Sequence, residues 1–403
     1  VRFCDVTLSY TATSGGIRTY LDAKRDYLER HTDHEHVLIV PGEHDRVEKQ
    51  GRRLTYTIGS PLLPGCEPYR FFWRPDKIRG VLEESKPDAI ELGSVYVAPW
   101  PALAYRDEQV ESGRPVVVGA YFHSDIADAY FGGPIRDAFV GWSDLAEWVA
   151  DRMAGVAELG AESYVGSIFE RANVRLAAST DQADRLRDYG VEGHVDVVPL
   201  GVNIERFHPD RRSDQRRRDL GAEPDDLVLV FAGRLDAEKR PDFLVEAFER
   251  LPSELKARLV LVGEGPMKES LNKRAGENDR LHVLPYESDP DRFAELIASA
   301  DLYVTAGAHE TFGLSVVEAQ ACGLPVVGVE AGALVERVPE GLGRLGPVHD
   351  AEAFAANIEA VAAERDAMGR AARRHVEENF SWRACFQRWL EIYEAAMASA
   401  KSL

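Results

Sequence analysis

Short apolar runs recur along this chain at intervals long enough to hold a crossover helix, and that alternation restricts the fold to parallel sheets covered by helices. A first series comprises Phe3–Leu8, Val37–Val40, Ala89–Leu92, Val116–Ala120, Val174–Ala178 and Val195–Val198. A second comprises Leu227–Ala232, Leu259–Gly263, Leu281–Leu284, Leu302–Val304 and Val326–Gly328. Between them, Pro209–Arg218 has the polar, charged composition of a linker or an exposed helix. The pattern predicts an α/β chain of two doubly wound, Rossmann-like domains facing across a cleft, residues 1–200 and 201–379, followed by a terminal helix over 380–403.

Length supports two cores. A chain of 403 residues exceeds what one core usually sustains, and 45% hydrophobic residues suffice for two. The net charge of −20 divides evenly, −10 in residues 1–200 and −10 in the rest. Such a spread excess repels phosphate backbones and argues against a nucleic-acid partner. It also limits contact with an anionic membrane to a peripheral kind at most. Cys4, Cys66, Cys322 and Cys385 show no metal-ligand spacing and read as reduced, buried thiols. With no basic segment leading into an apolar stretch, a soluble cytoplasmic protein is expected. Oligomeric state is not legible.

The segment His309–Pro325 carries the sharpest chemistry. Glu310 and Glu318 stand eight positions apart around a glycine turn, between the apolar runs Asp301–Thr305 and Pro325–Val329. A helix starting near Gly313 would offer unpaired N–H groups and a positive dipole end to a diphosphate. Glu310 would sit just before that helix and Glu318 inside it, so one ligand could be gripped at both ends. Another glycine turn, Gly233–Arg240, follows a strand and leads into a helix opened by Pro241. Arg234 and Lys239 on it can bring two positive charges to a diphosphate. Near the start, Ser14–Ile17 puts Gly15 and Gly16 between a strand and a helical pattern, where backbone can approach a phosphate or an acceptor. His123 falls at the carboxyl end of an apolar strand.

Pro199–Pro209, Phe231–Pro241 and the two-glutamate segment, flanked by Ser14–Gly16 and Phe380–Trp382, resemble in order the signatures of the retaining glycosyltransferases of family four. The resemblance spans essentially the whole chain. It implies the GT-B fold and transfer of a hexose from a nucleoside diphosphate sugar, UDP- or GDP-linked, to a hydroxyl of a glycan, glycolipid or small molecule. It assigns Arg234 and Lys239 to the departing diphosphate, Glu310 to the donor sugar, Glu318 to the ribose, and His123 to the sugar near its reacting carbon. Backbone at Phe312, Gly313 and Leu314, with Gly15 and Gly16, would line the donor. The terminal helix is expected to cross back onto the N-terminal domain. Two positions depart from the family: Ala306-Gly307 stands where Pro-Ser is usual, and Gly332-Ala333 where Gly-Gly is usual.

Other features carry less. His31, His34, His36 and His44 straddle different elements and are not expected to bind metal. Asp289-Pro290-Asp291 reads as a helix cap. Two cations and a helix N-terminus can stabilise a leaving diphosphate without Mg²⁺, so the donor sugar nucleotide is the co-substrate and no metal or other cofactor is expected. Aromatic segments Phe71–Pro75 and Tyr130–Gly133 could stack on an acceptor or simply pack. Alternatives within the same fold are a phosphorylase, a sugar-nucleotide epimerase, or a non-catalytic sugar-nucleotide-binding subunit.

Overall fold

The computed structural model describes residues 1–11, 16–62, 69–123, 159–308, 310 and 312–402. The chain divides into two compact units, Val1–Pro199 together with Phe386–Leu403, and Leu200–Cys385.

The first unit is built on eight strands: β1 (Arg2–Val6), β2 (Glu35–Gly42), β3 (Arg46–Gln50), β4 (Arg53–Gly59), β5 (Ala89–Leu92), β6 (Val117–Phe122), β7 (Val174–Ala177) and β8 (Asp196–Val197). Their order is β3-β4-β2-β1-β5-β6-β7-β8. Strands β1, β5 and β6 are buried almost throughout, as the continuous apolar runs require. Pairing is parallel except between β3 and β4. This antiparallel edge corrects the expectation of a wholly parallel sheet. All five residues of β3 are exposed, so no apolar pattern marked it; its Lys and Glu are what a blunted edge carries.

The terminal helix Trp382–Lys401 joins this first unit from Phe386 onward. Cys385, Phe386, Trp389, Tyr393 and Met397 are buried, at the spacing of three and four that makes one helix face apolar. That face also ends on charge. Trp389 Nε1 and Tyr393 Oη donate to Glu91 Oε2 at 2.6 and 2.9 Å. Lys24 Nζ, fully buried, lies 2.6 Å from Glu91 and 2.8 Å from Asp5. His36 Nε2 meets Asp5 at 2.6 Å. Burial alone would keep the Asp5 carboxyl protonated, but Lys24 and His36 overcome it and hold the group well below the usual carboxylate range. His36 thus belongs to a core network.

The second unit carries β9 (Leu227–Ala232), β10 (Ala257–Val262), β11 (Leu281–Leu284), β12 (Leu302–Val304), β13 (Val326–Val329) and β14 (Gly343–Gly346). All are parallel, in the order β11-β10-β9-β12-β13-β14. This is the doubly wound Rossmann arrangement, whose direction of winding reverses between β9 and β12. Strand β14 reads Gly-Arg-Leu-Gly and gave no sequence signal. Of the two readings of Pro209–Arg218, linker or exposed helix, the second holds. The segment forms a 3₁₀ turn (Pro209–Arg211) and a short helix (Asp214–Asp219) capped by Ser213. Arg217 from that helix is buried, pairing with Asp301 at 2.9 Å and donating to the Ser299 and Asp226 carbonyls. Among the described residues, no helix is long and apolar enough to cross a membrane.

Candidate functional site

In an open parallel sheet the loops leaving two adjacent strands at the winding reversal splay apart and leave a crevice at the carboxyl ends. In the second unit those are the loops after β9 and β12, and they carry Arg234, Lys239 and Glu310. Lys239 Nζ lies 2.9 Å from Glu310 Oε2, with side chains 17% and 19% exposed. Glu238 approaches the same ammonium at 3.1 Å. Burial disfavours charge on Lys239, yet attraction to Glu310 and Glu238 outweighs it and raises the pKa. Arg234 is 62% exposed and pairs with Asp236 at 2.5 Å and with Glu238. The two cations therefore stand at one mouth, screened by carboxylates of their own loops.

The β9 loop is held from below. Leu235 N donates to the Glu264 carbonyl at 2.8 Å, and Met267 N donates to that of Leu235 at 2.9 Å. Tyr303, buried on β12, donates to the Ala232 carbonyl at 3.0 Å and lies 2.8 Å from Ser315 Oγ. One phenol thus ties the end of β9 to the first turn of the helix that follows β12.

That helix runs Leu314–Ala321. Gly313 is its N-cap at φ +79°, a left-handed conformation that favours glycine. Gly313 N donates back to Glu310 Oε1 at 3.1 Å, so Glu310 closes the turn with one oxygen and holds Lys239 with the other. Arg337 Nε donates to the Phe312 carbonyl at 2.9 Å, and its guanidinium lies 4.4 Å from the Phe312 ring centre. The Gln320 amide in turn holds the Arg337 carbonyl at 2.6 Å. Sequence reading missed Tyr303, Glu238 and Arg337. Glu238 sits on the Gly233–Arg240 turn itself, where the sequence gives it no role; Tyr303 and Arg337 sit in no glycine motif, and only the fold brings them to these loops.

Glu318 lies inside the helix, as its spacing predicts. It retains some surface yet is densely surrounded by protein. Burial pushes its carboxyl up to about 8, against a lowering pull from Arg206. The departures beside this site are structurally mild. Gly332, at φ +53°, packs where a Cβ would meet the Glu310 carbonyl at 2.9 Å. The next position, Ala333, is helical at φ −63°, so an alanine fits without strain. A Cβ at Gly307 would lie 3.2 Å from Lys239 Cδ, a close contact to the flexible stem of that lysine.

In the first unit, Gly16 is the first residue of the helix Gly16–His31 after β1, with open space where a Cβ would stand. Gly15 lies outside the described residues. His123 follows β6, stacked at 4.0 Å on the Tyr121 ring. Burial, and the positive charge of Lys24, depress its pKa to about 3, so the imidazole is neutral. Its Nδ1 is buried with no hydrogen-bond partner among the described residues. Asp289 accepts from Asp291 N and Arg292 N at 2.9 and 3.3 Å, the cap its sequence suggested. Among the described residues, no group of three His, Cys, Asp or Glu side chains is arranged to hold a metal ion. Cys4, Cys322 and Cys385 are buried, while Cys66 and Tyr130–Gly133 lie outside the described residues.

Comparison with known proteins bears on the family and the fold. Residues 14–206 match the profile of Glycosyltransferase Family 4, and residues 212–377 that of Glycosyl transferases group 1. A GDP-mannose-dependent alpha-(1-6)-phosphatidylinositol dimannoside mannosyltransferase of Mycobacterium tuberculosis is 30% identical over 417 residues, covering 100% of this chain and 98% of its own. A D-inositol 3-phosphate glycosyltransferase of Geodermatophilus obscurus is 39% identical over 239 residues, 55% of this chain and 52% of its own. Among solved structures, a sucrose-phosphate synthase of Thermosynechococcus elongatus superposes with a TM-score of 0.74 at 19% identity, covering 99% of both chains. A glycosyltransferase of Rickettsia africae gives 0.68 at 17% identity, covering 98% of both. These structures share the GT-B fold of two Rossmann-like domains with this chain. The chain belongs to the family-four, group 1 glycosyltransferases.

Proposed function

We propose that this chain is a retaining hexosyltransferase that takes its sugar from a nucleoside diphosphate donor, with GDP-mannose the first candidate. The observation that carries the reading is the Lys239–Glu310 pair across the winding reversal, beside a helix N-terminus capped by Gly313. A diphosphate seated there meets the Lys239 ammonium, the Arg234 guanidinium and the first N–H groups of the helix. Glu318, further inside the helix, accepts the ribose hydroxyls, and Glu310 those of the sugar. The nucleotide base is suggested by the name of the full-length mycobacterial relative, and that name together with the inositol-phosphate relatives suggests an inositol-containing acceptor.

In the proposed reaction the bond from the anomeric carbon to the diphosphate oxygen breaks, and a bond to the acceptor oxygen forms on the same face. The acceptor proton passes to the departing phosphate oxygen. Charge grows on the diphosphate as the bond opens, and the two cations and the helix dipole are aimed at it. This set supplies the electrostatic load without a metal, and neutral His123 is assigned to the sugar near the reacting carbon. Neither active-site glutamate is required as a nucleophile.

The test is incubation with GDP-mannose, UDP-glucose, UDP-galactose and ADP-glucose in turn, with an inositol-containing acceptor, and proton NMR of the product. An α-mannoside made from the α-linked GDP-mannose is expected. Inversion at the anomeric carbon would overturn the mechanism, and failure of all four donors to bind would overturn the donor site.

A further inference from the structure

A second cavity opens in the Leu200–Cys385 unit, at the end of the sheet away from Lys239 and Glu310. It measures about 580 Å³ and is lined by Arg212, Arg365, Arg370, Arg373 and Arg374. Its floor is made by Ala300 and Asp301, just before β12, and by Gly323 and Leu324, just before β13. It therefore lies at the amino ends of the strands, whereas the candidate donor loops leave their carboxyl ends.

In a chain of net charge −20, five arginines around one cavity need an explanation. Two are structural. Arg373 donates to the carbonyls of Phe207, Ala321 and Ile204 and pairs with Glu377 at 2.7 Å. Arg212 donates to the Ala300 carbonyl and pairs with Asp301 at 2.8 Å. Asp301 also holds Arg217 and the Val228 N–H, so it has nothing left to balance the other three.

Those three, Arg365, Arg370 and Arg374, lie along the helix Ala351–Asn379. The one other acid lining the cavity is Asp366, 3.9 Å from Arg365. Arg370 and Arg374 have no carboxylate partner among the described residues, and they stand one helical turn apart, a like-charge pair that destabilises a helix. The wall behind them is fixed: Gly369 is pressed so closely on Gly323 that a Cβ would fall 2.1 Å from its carbonyl oxygen. Guanidinium forks on a fixed wall match the oxygens of a phosphate, and a cavity of this size admits a phosphate with a small organic group attached.

We propose that this cavity is a second anion site, separate from the donor site, that takes a phosphate ester or diphosphate. Arg370 and Arg374 grip the phosphate, Arg365 adds charge at the rim, and Arg373 and Arg212 hold the walls. The phosphate could belong to a soluble metabolite or to an anionic lipid headgroup, and the two are told apart by experiment.

Equilibrium dialysis with pyrophosphate is run on the full chain and on the variants Arg370→Ala/Arg374→Ala and Lys239→Ala. In parallel, the proteins are sedimented with vesicles of phosphatidylglycerol or of phosphatidylcholine. For a soluble ligand, the double variant loses one component of pyrophosphate binding, weakened about tenfold or more. For a headgroup, it also loses sedimentation with phosphatidylglycerol vesicles. The Lys239→Ala variant keeps that component, so failure of the donor reading shows separately, as no loss in Lys239→Ala. Both arginines are exposed, and circular dichroism checks that the double variant is folded. Wild-type binding by the double variant to pyrophosphate and to both vesicles would overturn the proposal.

Discussion

Lys239 Nζ and Glu310 Oε2 lie 2.9 Å apart, and this contact joins the loop leaving β9 to the loop leaving β12. A cation and a carboxylate from two adjacent strands thus meet where the winding of the sheet reverses. Glu310 also receives the Gly313 N–H, so the pair and the helix N-terminus form one unit. On the proposed reading, an incoming diphosphate would meet Lys239 already oriented and would share it with Glu310 and Glu238.

Replacing Lys239 by alanine removes the charge and leaves Glu310, among the described residues, with the Gly313 N–H alone. Turnover is expected to fall by roughly 10²–10³, the range for losing one electrostatic donor to a transition state. Arg234→Ala should fall in the same direction. Steady-state kinetics at saturating donor checks both, and full activity in either variant would put the diphosphate elsewhere.

The two glutamates should separate kinetically. Glu318→Ala is expected to weaken binding of the free nucleoside diphosphate, whereas Glu310→Ala is expected to slow transfer with smaller loss of nucleotide affinity. Calorimetric titration alongside kcat measurement resolves them. Equal losses of affinity would contradict the assignment.

Glu318 also predicts a pH dependence. Burial pushes its carboxyl from 4.5 up to about 8. A diol donates both hydroxyls best to the ionised form, so binding expels the proton, and nucleotide affinity should rise with pH until about 8. For folding the sign is opposite. A carboxyl whose folded pKa is raised stabilises the protein fully below about 4.5, and that contribution is lost as pH rises through about 8. Glu318→Gln should flatten both dependences, and titrations in buffers of different ionisation heat should report proton release for the wild type alone.

The first unit makes a prediction about the terminal helix. Trp389 and Tyr393 give Glu91 two hydrogen bonds in the core, and Lys24 gives it a third contact. Trp389→Phe keeps most of the apolar contact but leaves a buried carboxylate oxygen short of a donor, costing about 1–3 kcal/mol. Lys24→Met strands Asp5 and Glu91 together, at about 3–5 kcal/mol. Truncation after Asn379 should expose the apolar surface, raise dye binding and abolish transfer. A truncated chain that remains soluble and active would show the helix to be dispensable.

The apolar runs announced most strands, and the glycine-flanked segments announced the two loops, because backbone geometry and burial leave a local trace. What was not legible is what the fold assembles from distant residues. Arg337 reaches the Phe312 carbonyl from 25 positions away, and Tyr303 reaches Ala232 from 71. The Lys24 network unites residues from Asp5 to Tyr393. Strands β3, β4 and β14 were missed for another reason: the first is wholly exposed and polar, the second alternates polar and apolar residues, and the third opens and closes on glycine.

The central claim is that the carboxyl-end loops of the second sheet hold the nucleoside diphosphate. Hydrogen exchange read by mass spectrometry, with and without saturating GDP, tests it most directly. The account predicts slowed exchange in two segments, 233–240 and 312–318, with Glu318→Ala greatly reducing the effect at the same GDP concentration. Protection confined to other segments, or none while GDP is bound, would contradict it.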